Sequence, residues 1–123
     1  MNTEEAQKVI FDNDNCSENS FIYFLHEECY FSIEKFWQFY DSIIAWVGKE
    51  KKADITRKIT EIYQKMLKEM IYHFDPMDIS VIANFPENYT EYIERIDFAL
   101  LAYDTDNIDL IDDKTFVLQR GEK

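Results

Sequence analysis

With two glycines and two prolines among 123 residues, this chain carries little of the turn punctuation that an all-β fold requires. Helices need far fewer such breaks. Hydrophobic residues at 46% and aromatics at 16% supply enough apolar surface for a buried core, which excludes wholesale disorder and low-complexity classes. Two independent cores in a chain of this length would each bury too little surface. The expectation is an all-α, single-domain bundle of about five to six helices over residues 1–123. Residues 1–19 are expected as a loosely structured acidic arm, and residues 105–123 as an irregular acidic tail.

Periodicity places three strong helices. Ile55, Ile59, Ile62, Tyr63, Met66, Leu67, Met70, Ile71 and Phe74 recur at threes and fours and so share one face. Asp54 is the expected N-cap, and Asp75-Pro76 the stop, because a residue before proline is pushed out of the α region. Arg57–Glu61, Glu61–Lys65 and Lys65–Glu69 lie four apart on the outer side. A second helix runs from Ile33 to Val47, with Ser32 as N-cap and Gly48 as C′. Its apolar positions cover more than one face, so it is either central or leaves an aromatic edge exposed. The short basic loop Lys49–Ala53 should turn these two into an antiparallel hairpin. A third helix spans Asn88 to Tyr103, with Asn88 and Glu91 spaced as a capping pair. Weaker patterns give two helical turns over Thr3–Phe11, a polar loop over Asp12–Asn19 and an aromatic helix over Ser20–Tyr30. Asp75–Ala83 reads as a short helix with Pro76 at its first position, and Thr115–Leu118 as a turn, strand or docked extension. Ile59, Ile62, Met66, Met70, Trp37, Tyr40, Ile43, Ile93, Ile96 and Leu100 are the expected centre of the core.

Charge bounds the partners. Against 25 acids stand 13 bases, a net charge of −12, which disfavours nucleic acid and anionic membranes and permits a basic protein. The imbalance is segmental: residues 1–34 carry 8 acids and 1 base, 35–74 carry 5 and 8, and 75–123 carry 12 and 4. Two acidic arms flanking a mildly basic middle are expected to pack against it or to face different partners. The N-terminal residues lack the basic and long apolar regions of a secretion signal, and no stretch approaches the ~20 apolar residues of a membrane span. A cytoplasmic location with Cys16 and Cys29 reduced is the expectation.

No constellation for chemistry stands out. His26-Glu27-Glu28-Cys29 lacks the second histidine of a zinc-binding His-Glu-x-x-His pattern, since Tyr30 occupies that place. Asp104-x-Asp106-x-x-Asp109 and Asp12-x-Asp14 lack the glycine at position 6 and the glutamate at position 12 of a calcium loop. Gly48 and Gly121 are isolated, so no phosphate-binding glycine loop exists, and no Gly-x-Ser-x-Gly turn is present. The expectation is therefore a chain without catalytic residues, metal or cofactor; its oligomeric state stays open, with a monomer favoured. The dense aromatics between Phe21 and Trp46 read mainly as core filling, with outward-facing Tyr or Trp anchors as the sharper alternative.

Phe31-Ser32-Ile33-Glu34-Lys35-Phe36-Trp37, a capped entry into an aromatic helix, is followed by the long amphipathic helix ending His73-Phe74. In these features, and in its size and acidity, residues 20–104 resemble the immunity proteins of bacterial contact-dependent growth inhibition and related polymorphic toxin systems. The resemblance implies that the chain binds a cognate toxin domain, often a basic nuclease, and blocks its active site or substrate groove. The residues themselves leave two other readings open: a helical adaptor or anti-regulator of another basic protein, and a small helical ligand-binding domain or enzyme. The expected partner surface is Asp104, Asp106, Asp109, Asp112 and Asp113, a stretch containing no base, with Tyr103 as a neighbouring anchor. Asp12, Asp14, Glu18, Glu27 and Glu28 form the second-choice surface.

Overall fold

The computed structural model describes residues 1–121. Five α-helices follow in order: α1 (Thr3–Asp14), α2 (Phe21–Glu27), α3 (Ile33–Ile44), α4 (Ala53–Phe74) and α5 (Tyr89–Thr105). Two 3-10 turns, Ile108–Ile111 and Asp113–Thr115, complete the order, and there is no strand among the described residues. The chain is all-α, as its scarcity of turn residues requires. None of these helices is long and apolar enough to cross a membrane.

Several boundaries obey their sequence signals. Ser32 Oγ accepts from Lys35 N at 3.2 Å and starts α3, and Ser20 Oγ does the same for Tyr23 N at 3.1 Å in α2. Gly48 adopts a left-handed φ of +76° after α3, although the regular helix stops at Ile44 and the intervening residues tighten into i→i+3 bonds. Others differ. α4 begins at Ala53 without a side-chain cap, so Asp54 lies inside the first turn, where its charge faces the positive helix end. Asn88 uses its side-chain amide on the Glu91 carboxylate at 2.8 Å and does not cap a backbone amide. Asp75–Ala83 forms no helix; it is an irregular connection built on turns. Of the three outer-face pairs expected on α4, Arg57–Glu61 is present at 3.8 Å. Lys65 instead donates to the Asp14 carbonyl, and Glu69 binds His26.

The acidic N-terminal segment is not a loose arm. Asn2 and Glu5 form a capping box at the start of α1, and the stripe Ala6, Ile10 and Asn13 is buried. Asn13 can sit in that buried stripe because both its side-chain nitrogen and its oxygen find a partner. Asn13 Nδ2 donates to Val9 O and its Oδ1 accepts from Ile22 N at 3.0 Å, which ties α1 to α2. α1 packs against both α3 and α4. The expected α3–α4 hairpin is thereby opened, since α1 supplies the surface each would otherwise have offered the other.

The aromatic stretch is mostly core. Phe21, Phe31, Phe36 and Tyr92 meet edge to face or stacked, with centroids 4.9–6.0 Å apart. Trp37, Phe39, Tyr40 and Trp46 are buried as well, whereas Tyr30 is exposed. Eight of the ten expected central residues are buried. Ile93 and Leu100 are only partly so, because α5 turns toward α3 the face carrying Tyr92, Arg95, Ile96, Ala99 and Tyr103.

Candidate interaction surface

The two acidic arms fold onto the basic middle. Asp14 pairs with Lys58 at 2.9 Å and Asp106 with Lys51 at 2.5 Å, while Arg120 grips Asp41 through two nitrogens at 3.1 and 2.5 Å. Two cations of the middle segment, Lys51 and Lys58, are thus paired with arm acids, and the Arg120–Asp41 pair runs the other way, from a tail cation to a middle acid.

The C-terminal aspartates divide into two kinds. Asp106 ends α5 in a left-handed conformation, φ +55°, and its Oδ1 also accepts from Gly48 N at 2.8 Å. The Lys51 ammonium and the Gly48 amide hold its carboxyl below the ordinary aspartate range. A carboxyl whose folded pKa is depressed adds stability above its unfolded value, near about 4, and loses it as pH falls through the folded value. Asp106→Asn should therefore destabilise the chain at pH 7, with the gap to the parent closing on acidification below about pH 4. Urea midpoints for both proteins across that range check this; a gap independent of pH contradicts the assignment.

Asp113 is the second structural member. Its Oδ1 receives Arg95 Nη1 at 2.8 Å. Arg95, on α5, has a wholly buried side chain. It also donates to Leu118 O from Nε at 3.1 Å and Nη2 at 2.6 Å, and to the Tyr40 hydroxyl at 3.2 Å. Its guanidinium lies 4.0 Å from the Phe116 ring centroid. Phe116 and Leu118 are buried in consequence, and the segment after the 3-10 turns is a docked extension. Asp112 accepts from Lys114 N as a turn cap. Asp104, Asp109 and Asp112 are exposed and make no ion pair among the described residues. Tyr103 does not serve as an exposed anchor: it is buried, its hydroxyl is 2.5 Å from Thr56 Oγ1, and the Lys51 ammonium lies over its ring. The α5 face that carries Ala99 and Tyr103 points inward, so the register that buries one buries the other.

The second-choice acids are scattered over uses. Asp12 pairs with Lys8 at 2.7 Å within α1, Asp14 is taken by Lys58, and Glu28 accepts from Tyr23 Oη at 3.3 Å. Glu18 and Glu27 are exposed, with Glu27 3.9 Å from His26. His26 Nδ1 lies 2.7 Å from Glu69 Oε1. A cavity of about 240 Å³ is lined by Cys16, Ile22, His26, Lys65 and Glu69. Burial, with Glu27 next, pushes the Cys16 thiol up, away from the thiolate that nucleophilic chemistry uses. No group of three or more metal-type ligands converges among the described residues.

Sequence reading missed the most exposed apolar feature. Ile71 and Phe74 on the last turn of α4 are exposed, and beyond them Met77 is 89%, Ile79 98% and Val81 57% exposed. The signal was present as a period of two at residues 77, 79 and 81. A proline near the start and an apolar composition made the same stretch read as a helix. Phe74, Phe85 and Tyr89 meet edge to face or tilted with centroids 5.2 Å apart, joining the end of α4 to the start of α5.

No family model matches this chain, and neither the curated proteins nor the solved structures show a match to it. Its chemistry must be read from its own surface. That surface carries exposed carboxylates beyond α5 and an exposed apolar segment beyond α4.

Proposed function

We propose that this chain binds and neutralises a basic toxin domain, acting as an immunity protein in the cytoplasm and working by occlusion, without catalysis. The observation that carries the reading is the division among the C-terminal aspartates. Asp106 and Asp113 anchor their segment to Lys51 and Arg95, while Asp104, Asp109 and Asp112 stand exposed and form no ion pair among the described residues. Like charges held close together cost folding stability, and a basic partner removes that cost while being steered in by the field. Exposed carboxylates on a segment anchored at Asp106 and Asp113 also suit a groove that otherwise receives phosphates.

The test replaces Asp104, Asp109 and Asp112 with asparagine, leaving the two structural aspartates in place. Asp112→Asn keeps a side-chain oxygen that can accept from the Lys114 amide, so the turn survives. Binding to the C-terminal domain of whatever toxin an adjacent gene encodes is measured at low and moderate salt. The parent's association should slow as salt rises, and the variant should bind more slowly with a flatter salt dependence. Equal binding, together with equal protection of cells, overturns the assignment of this surface.

A further inference from the structure

We infer that Met77, Ile79 and Val81 form a preformed ridge that seats in an apolar cleft rimmed by Lys or Arg on that basic protein partner; the inference rests on the reading just given. Three large apolar side chains at alternate positions, each more than half in water, contribute nothing to this chain's own core. Singly exposed apolar residues are ordinary on a protein surface, but a contiguous group marks a contact site.

The ridge is held in shape from beneath. Asp75 Oδ1 accepts from Met77 N at 2.9 Å, and Asp78 Oδ1 accepts from Ser80 N at 2.7 Å. At the far foot Ile82 is buried and its amide donates to His73 Nδ1 at 3.0 Å. Asn84 bonds the Phe31 backbone in both directions, accepting from its N–H at 2.7 Å and donating to its carbonyl at 2.9 Å. Ala83 N donates to Cys29 O at 3.0 Å. Asp78 and Ser80 are half-buried while Met77, Ile79 and Val81 are exposed, so the three apolar side chains alternate with covered positions. A segment already fixed in its bound form loses little conformational freedom on association, which favours tight binding.

Charge selects the occupant. Between Asp75 and Glu94 the sequence holds five carboxylates, Asp75, Asp78, Glu87, Glu91 and Glu94, and no Lys or Arg. Asp75 and Asp78 belong to the ridge segment itself, so a second copy of this chain, at −12, would set acid against acid there, and an anionic lipid surface is repelled in the same way. A cleft with an apolar floor and cationic rim is complementary in both respects.

The experiment uses the full chain and the purified C-terminal domain of that adjacent-gene toxin. Met77→Ser/Ile79→Ser/Val81→Ser should keep the parent's thermal midpoint, because none of the three is packed inside, and should dissociate roughly a hundredfold faster or more. In the parent complex, hydrogen exchange should slow across residues 75–85, a readout independent of how the variant folds. Protection confined to 104–113 with parent-like dissociation of the ridge variant overturns the ridge while leaving the neutralisation reading standing. Failure of the parent to bind the domain at all overturns both. Self-association of the parent that the ridge variant abolishes also overturns the inference, by showing a second copy as the occupant.

Discussion

Replacing Arg95 with leucine should lower the unfolding free energy by about 2–5 kcal/mol, because two buried acceptors lose their donors at about 1–3 kcal/mol each. Leucine fills part of the volume but leaves the buried Leu118 carbonyl without either of its two donors and the Tyr40 hydroxyl without its own. Asp113 is more than half exposed and returns easily to water, so the loss comes mainly from the carbonyl and from packing against Phe116. The tail should then lift. Urea unfolding reads the stability, and limited proteolysis reads cleavage between 112 and 118 in the variant under conditions that spare the parent. Arg95→Lys should recover only part of the loss, because one ammonium cannot reproduce a planar fork that reaches three acceptors. A variant as stable and protease-resistant as the parent would show that the extension is docked by its apolar residues alone.

Phe36→Ala should cost about 3–5 kcal/mol, the range for fully buried phenylalanines. The Phe36 ring is wholly buried and meets Phe21, Phe31, Trp37 and Tyr92 within 6.0 Å, centroid to centroid. Its neighbours come from α2, α3, α5 and the α2–α3 connection. Rings of that size, fixed on separate elements, cannot collapse into the space, so the cavity term adds to the lost transfer free energy. A chemical-denaturation series reads the difference. A loss below about 1 kcal/mol would mean that the core relaxes around the gap and that its edge-to-face geometry carries little weight.

Local signals placed α3, α4 and α5 within a few residues. An amphipathic period of 3.6, a serine before the first apolar residue and an Asp-Pro stop act through neighbours in the chain. The weak patterns were weak for a physical reason. α1 buries only a narrow stripe, and its Asn13 looks like a loop residue until the Ile22 amide is brought to it. Residues 75–83 have helix-compatible composition, yet the His73, Cys29 and Phe31 groups that capture Ile82, Ala83 and Asn84 come from elsewhere in the fold.

The candidate surface divides along the same line. That the chain is acidic, that its carboxylates crowd after Tyr103, and that a basic partner suits it follow from composition and spacing, since charge sums whatever the fold. Which carboxylates remain free is a tertiary matter. Asp106 meets Lys51 across 55 residues and Asp113 meets Arg95 across 18, and no one-dimensional pattern reports that pairing. Helical periodicity likewise put Tyr103 on an apolar face, but only the packing of α5 against α3 turned that face inward. The ridge at 77, 79 and 81 rests on local turns at Asp75 and Asp78 and on the bonds of Ile82, Ala83 and Asn84 that tie down its far end, so the sequence determined its side chains and the fold decided that they face water.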